Sequence, residues 1–173
     1  MHLATRFLFA GAFVLGGCGN RGEFTTISFG AGIPAQVNTS CGVTCAIPVQ
    51  ADLSLEDSES LPVDASVEIK QYRIDYELAG STEEMPFFAD EINLVVAKGD
   101  SASFLFYPAG EAQRSWAIDR FAGQDLSGQA LLTMAGYDDL NDSVEISARF
   151  SIGFGDYGVG DSTPPPEDED QGD

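Results

Sequence analysis

Hydrophobic and polar residues alternate most strictly between residues 144 and 154. Apolar side chains occupy every second position there: Val144, Ile146, Ala148, Phe150, Ile152 and Phe154. Successive side chains of a β-strand point to opposite faces of its sheet. The pattern therefore predicts a strand with one buried face and one face in water.

A second patterned stretch, residues 67–78, changes phase near its middle. Apolar residues occupy odd positions as far as Ile69 and even positions from Tyr72 to Leu78. A slip of one residue moves the following side chains to the other face of a sheet. The change predicts a strand with a bulge, or a switch of the buried face, near Lys70 and Gln71.

Five shorter stretches rich in β-forming residues are also predicted as strands: 24–29, 47–55, 92–97, 101–107 and 129–137. Residues 98–100 predict a tight hairpin turn between two of these strands, and residues 138–142 link the last two strands into a long hairpin. We expect loops at 30–40, 56–62 and 80–91, and the segment 114–121 fits either a strand or a helix. Seven or so short strands with little helix signal predict an all-β protein, an antiparallel β-sandwich.

The first 17 residues have the pattern of a secretory signal peptide. Arg6 precedes an apolar run at 7–15, which is shorter than the ~20 residues that a membrane span needs. The run ends in LGGC at 15–18, which resembles the lipobox of bacterial lipoproteins. The resemblance implies cleavage before Cys18 and acylation of Cys18, and Gly19 favours the outer membrane. The alternatives are an ordinary signal peptide with a free Cys18 thiol and a buried N-terminal helix.

The chain is strongly acidic, and this charge restricts its partners and its chemistry. Asp and Glu number 28 against 8 Lys and Arg, so the formal net charge is −20. Such a surface repels phosphate backbones, and we expect no nucleic-acid partner. The only histidine, His2, lies in the predicted signal. Because the mature chain would lack a histidine base, we expect no enzyme, and a carboxylate-based hydrolase is the least favoured alternative.

Cys41 and Cys45 would be the only cysteines left after acylation of Cys18. An even pair beyond the inner membrane favours a structural disulfide, because that compartment is oxidising. A pair of free or redox-active thiols stays open as an alternative, although the usual redox spacing is Cys-x-x-Cys. A zinc site would need two further soft ligands.

The link between the last two predicted strands is rich in oxygen ligands: Asp138, Asp139, Asn141 and Asp142. Oxygen-rich loops bind Ca²⁺, so these four residues are a weak candidate metal site. The glycine position of the EF-hand pattern is occupied by Val144, and its twelfth position by Phe150. We therefore favour a solvated turn, in which Asp and Asn are chosen for turn chemistry.

The pattern divides the chain into four parts. Residues 1–17 are the predicted signal peptide, and 18–22 are the lipidated Cys18 with a short tether. Residues 23–158 form the predicted β-sandwich domain. Residues 159–173 are rich in Pro and acidic residues and are predicted to be disordered.

Several segments within residues 45–158 resemble a group of small bacterial lipoproteins that contain one immunoglobulin-like β-sandwich. They read YRIDYE at 72–77, INLVV at 92–96 with GDSASF at 99–104, and LLTMAGYD at 131–138 with VEISARFSIGFGDY at 144–157. That group usually has Gly-Asn in its last link, where this chain has Asp139-Leu-Asn-Asp142. The resemblance implies an immunoglobulin-like fold and brings no activity with it.

These expectations combine into one functional hypothesis. We expect a lipid-anchored protein of the outer membrane, a non-catalytic structural or interaction module that contacts an envelope protein or a glycan. The alternative is a calcium- or carbohydrate-binding module that uses its acidic loops. No cofactor is expected apart from the N-terminal lipid.

Overall fold

A computed structural model describes residues 21–30, 33–40, 47–121 and 124–157. This part of the chain contains eight strands, one α-helix and a short 3₁₀ turn at Gly22–Phe24. The strands are β1 (Thr25–Phe29), β2 (Ala35–Asn38), β3 (Val49–Leu55), β4 (Ser66–Leu78), β5 (Phe88–Ala97), β6 (Ser101–Phe106), β7 (Leu126–Asp138) and β8 (Ser143–Gly155). The helix α1 (Glu111–Phe121) lies between β6 and β7.

The strands form two sheets that share one core. The smaller sheet has the order β1-β3-β6, and the larger sheet has the order β2-β8-β7-β4-β5. Neighbouring strands are antiparallel, except that β2 lies parallel to β8. The prediction of an all-β protein is confirmed, and the pairing is antiparallel as predicted except for β2, whose parallel pairing with β8 was not expected.

The two most strongly patterned strands are confirmed nearly at their predicted bounds. All six apolar residues that alternate along β8 are buried. In β4 the register to both neighbouring strands shifts between Ile69 and Gln71, so the phase change does mark a bulge. The predicted hairpin of the last two strands is also present, because β7 pairs with β8 along almost its whole length.

The interpretation of residues 98–100 as a hairpin is wrong. The turn exists, with the Asp100 amide donating to the Ala97 carbonyl at 3.0 Å and Gly99 at a φ of +77°. However, β5 pairs with β4 and β6 pairs with β3, so the chain passes from one sheet to the other. A local turn signal reports that the chain reverses, but it does not report which strands pair afterwards.

Two further expectations about local structure need correction, and one alternative that the sequence left open is settled. The predicted loop 30–40 contains β2, a four-residue strand that is too short for a visible alternation. The predicted loop 80–91 contains the start of β5, whose Asp90 and Glu91 are exposed. The ambiguous segment 114–121 belongs to α1.

The centre of the core is an aromatic cluster around Phe106 of β6. The Phe106 ring is 1% exposed. Its centroid lies 6.0 Å from that of Tyr72 and 5.6 Å from that of Phe150, both in the larger sheet. It also lies 6.3 Å from Phe29 and 5.8 Å from Phe104 in the smaller sheet. Such ring pairs add to the stabilisation from apolar burial, and here they join the two sheets.

Helix α1 is attached to the sheets by polar contacts. The buried Gln113 side chain donates hydrogen bonds to the Pro86 and Phe87 carbonyls at 3.1 and 2.8 Å. The Tyr76 hydroxyl donates to the Pro108 carbonyl at 2.8 Å, just before the helix. Within the described ranges, no helix is both long and apolar enough to cross a membrane.

Gly136 of β7 faces the bulge in β4 and permits a close approach of the two strands. A Cβ atom at Gly136 would overlap the Glu68 carbonyl oxygen and the Ile69 Cα. We expect Gly136→Ala to lower the free energy of unfolding by about 2 kcal/mol, because overpacking forces backbone shifts. Gly30→Ala is the control, since its nearest contact would be an ordinary 3.7 Å. Equal urea midpoints for the two variants would contradict this role of Gly136.

Candidate functional site

The candidate metal ligands lie in the turn between β7 and β8, where Asp138 organises the backbone. Its side chain is 1% exposed. One carboxylate oxygen accepts hydrogen bonds from the Leu140 and Asp142 amides, both at 2.9 Å. Asn141 has a φ of +64°, in the left-handed region that Asn tolerates better than most residues. Asp138 and Asn141 therefore have the turn roles that the sequence favoured.

The second acidic residue of the turn, Asp139, is paired with Arg21. The Arg21 Nε atom donates to Asp139 Oδ1 at 3.0 Å, and Nη2 donates to Oδ2 at 3.3 Å. Arg21 Nε also lies 3.9 Å from Asp138 Oδ2, and the Arg21 side chain is 8% exposed. The hydrogen bonds from Arg21 hold the pKa of Asp139 below its ordinary value.

The guanidinium of Arg21 lies against Asp138 and Asp139, two of the four residues that were predicted to bind Ca²⁺. Asp139 is bound in a two-pronged contact, and Asp138 is committed to the turn backbone. In the described ranges, no three Cys, His, Asp or Glu residues are grouped so that they could hold a metal ion. Calcium binding at these four residues stays a prediction, and it would require the displacement of Arg21.

Arg21 is the residue of this site that sequence reasoning missed. It lies in the predicted tether, 118 positions before its partner Asp139. Arg21 and its neighbour Gly22 are both buried in the structure. The only sequence signal was the scarcity of basic residues, which makes each one a candidate partner for an acidic turn.

A shallow depression of about 540 Å³ lies on the outer face of the larger sheet. Ala89 of β5 and Thr133 and Ala135 of β7 leave room at its floor, because their side chains are small. Polar groups of Gln71, Arg73, Glu91 and Glu145 surround them. The depression lies beside β5, the terminal strand of this sheet in the described part of the chain.

The basic side chains of this outer face are paired with acidic neighbours. Arg73 Nη2 lies 2.6 Å from Asp75, and its guanidinium carbon lies 4.1 Å from the centroid of the exposed Phe87 ring. Arg149 reaches across β7 to Glu77 at 2.8 Å. Because these pairs are exposed, they contribute little to stability and mainly fix where the charges lie.

The outer face of the smaller sheet is chemically different. It carries mainly hydroxyl groups: Thr26, Ser28, Ser54, Ser101 and Ser103. Thr26 and Ser54 are hydrogen-bonded at 3.0 Å, and Ser103 donates to Asp52. The hydroxyl-rich face can therefore serve as a control surface when binding to the outer face of the larger sheet is tested.

The three cysteines of the predicted sites cannot be placed. Cys18, Cys41 and Cys45 all lie outside the described residues, as do the predicted signal and the acidic tail. Acylation of Cys18 and the disulfide both remain predictions.

No protein-family model matches this chain, and no curated protein matches it either.

Replacement of Arg21 tests how much the ion pair stabilises the domain. Removal of one partner from a buried ion pair costs about 3–5 kcal/mol. We expect Arg21→Gln to cost about 3 kcal/mol at pH 7, near the low end of that range, because Asp139 keeps some access to water. Arg149→Gln is the matched control, because its pair with Glu77 is exposed, and we expect little change. Equal effects of the two substitutions in urea unfolding would refute the role of Arg21.

The same pair predicts a dependence on pH. The pKa of Asp139 is lowered in the folded state, so its ionised form contributes stability above the unfolded value of about 3.9. That contribution is lost as the pH falls through the folded pKa. The difference between wild type and Arg21→Gln should therefore shrink from pH 7 to pH 3, and a constant difference would contradict the assignment.

Proposed function

We propose that this chain is a lipid-anchored protein of the outer membrane whose single domain is a non-catalytic binding module. The LGGC motif at 15–18, directly after an apolar run, supports the anchor. The loss of the only histidine with the signal supports a role without histidine chemistry.

We also propose that the domain is a variant of the immunoglobulin-like sandwich. In variable-type domains the strands G, F and C are extended by C′, and A, B and E lie in the other sheet. The order β8-β7-β4-β5 corresponds to G-F-C-C′, and β1-β3-β6 corresponds to A-B-E. Helix α1 then occupies the connection between E and F.

The open edge of β5 is the observation that carries the binding proposal. This strand is ten residues long and, within the described residues, pairs on one side only. An open edge can accept a partner strand through main-chain hydrogen bonds. The last six residues, 92–97, carry no charge, whereas Asp90 and Glu91 at the other half would discourage non-specific pairing.

The depression beside β5 adds side-chain selectivity to this edge. A strand that pairs with the free edge of β5 would lie next to Ala89 and Glu91, and Gln71 lies on the other side of β5, opposite Glu91. The small side chain of Ala89 leaves room for one partner side chain, and the Glu91 carboxylate accepts hydrogen bonds. We propose an extended segment of an envelope protein as the partner of this surface.

Site-specific photo-crosslinking in the native envelope tests the binding surface. A benzophenone amino acid at Glu91 should capture a defined protein, identified by mass spectrometry. The same group at Ser28, an exposed position on the hydroxyl-rich outer face of the smaller sheet, is the control. Equal capture at both positions, or none at Glu91, would rule out the β5 edge as the contact.

The anchor has its own test. Cys18→Ala should release the protein from the membrane fraction, because the acyl chains would be missing. Cys41→Ala should leave the protein in that fraction, since Cys41 has no role in anchoring. Mass spectrometry of the N-terminal peptide should find lipid on Cys18 of the wild type. Unchanged membrane association of Cys18→Ala would defeat the proposal.

A further inference from the structure

Two exposed apolar side chains lie at the end of the domain that carries the Arg21–Asp139 ion pair. Leu140, at the tip of the turn between β7 and β8, is 66% exposed, and Val63, in the loop before β4, is 95% exposed. The Asp139 amide donates to the Ser66 carbonyl at 3.1 Å, so this turn lies against the start of β4. We call this part of the domain, residues 61–66 with 138–142 and Arg21, the Arg21 end.

The position of Arg21 limits how far an anchor on Cys18 can lie from this end. Arg21 is fixed by its contacts with Asp139 and is buried. Three residues of fully extended chain span at most about 11 Å. Acyl chains on Cys18 would therefore enter a bilayer within that distance of the Arg21 backbone.

We propose that the Arg21 end lies directly on the lipid surface, with Leu140 and Val63 in the headgroup layer. This orientation rests on the proposed acylation of Cys18 and goes beyond it, because an anchor alone fixes no face of a domain. The short tether and the exposed apolar groups lie at the same end of the domain, so together they determine which end contacts the lipid surface. Burial of the two side chains in lipid adds to the affinity supplied by the acyl chains.

The charge of this end selects the kind of lipid. Glu59, Asp64 and Asp142 are exposed at this end, and Asp57 is also exposed but lies 3.6 Å from the Lys98 ammonium group. These carboxylates repel anionic headgroups, and at physiological salt the repulsion extends over a Debye length of about 8 Å. The surface that fits is therefore a zwitterionic one, such as phosphatidylcholine or phosphatidylethanolamine.

The orientation places helix α1 away from the membrane. Strands β7 and β8 are 13 residues long, and the rise of about 3.3 Å per residue separates their two ends by roughly 40 Å. Trp116 of α1 lies beside the loop 80–83, which follows the far end of β4. The single tryptophan of the chain is thus a reporter at the end remote from Arg21.

Relocation of that tryptophan tests the orientation. The acylated full-length protein is inserted into phosphatidylcholine vesicles whose acyl chains carry bromine, which quenches indole fluorescence on contact. In the wild type, the emission of Trp116 should be the same as in unbrominated vesicles. In the double variant Trp116→Phe with Leu140→Trp, most of the emission should be lost.

A matched variant carries Trp116→Phe with Leu105→Trp. Leu105 is also 66% exposed but lies on the outer face of β6, near Gln50 of β3 and away from the Arg21 end. Its emission should be quenched much less than that of the Leu140 variant. Replacement of part of the phosphatidylcholine by phosphatidylglycerol should weaken the quenching at position 140, and added salt should restore it.

The possible outcomes separate this proposal from the proposed anchor. Flotation of the vesicles shows whether each variant is bound, and thermal unfolding shows whether it is folded. If bound protein is quenched equally at positions 140 and 105, or at neither, the orientation is wrong and the anchor stands. If the wild type does not float with the vesicles, the anchor is wrong, and the orientation falls with it.

Discussion

The aromatic cluster around Phe106 is the contact on which the arrangement of both sheets depends. A three-stranded sheet such as β1-β3-β6 is near the lower limit of independent stability and needs a partner surface. The rings of Phe29 and Phe106 supply that surface from one sheet, and Tyr72 and Phe150 meet them from the other. The passage of the chain from β5 to β6 follows from this packing, since it carries Phe104 and Phe106 to the side of the core opposite β5.

The elements that could be predicted from the sequence are those in which the alternation of apolar and polar residues matches the buried and exposed faces. In β8 each apolar residue faces the core, and in β4 the phase change records the bulge near Lys70. The pattern within one strand does not show which other strand it pairs with. The turn at 98–100 was therefore interpreted as a hairpin, although the strands on its two sides belong to different sheets. The four residues of β2 and the mixed face of α1 gave too little periodicity to be recognised.

The candidate site shows the same limit. The turn role of Asp138 could be predicted, because Asp and Asn act on the backbone of their own turn. The partner of Asp139 could not be predicted, since Arg21 lies 118 positions away in the sequence and is its neighbour only in the folded domain. A second cation acts at the same end of the domain, where Lys98 donates to the Leu61 carbonyl at 3.0 Å. In a chain so rich in carboxylates, these two cations hold together loops that would otherwise repel each other.

The parallel pairing of β2 with β8 has a mechanical consequence. The two strands run in the same direction, and the four residues of β2 lie beside residues 152–155 at the end of β8. A force that pulls the start of β2 and the end of β8 in opposite directions acts along these strands. The hydrogen bonds between them then bear the load together in shear, whereas in an unzipping geometry they would break one at a time. This pairing therefore resists extension between the start of β2 and the end of β8.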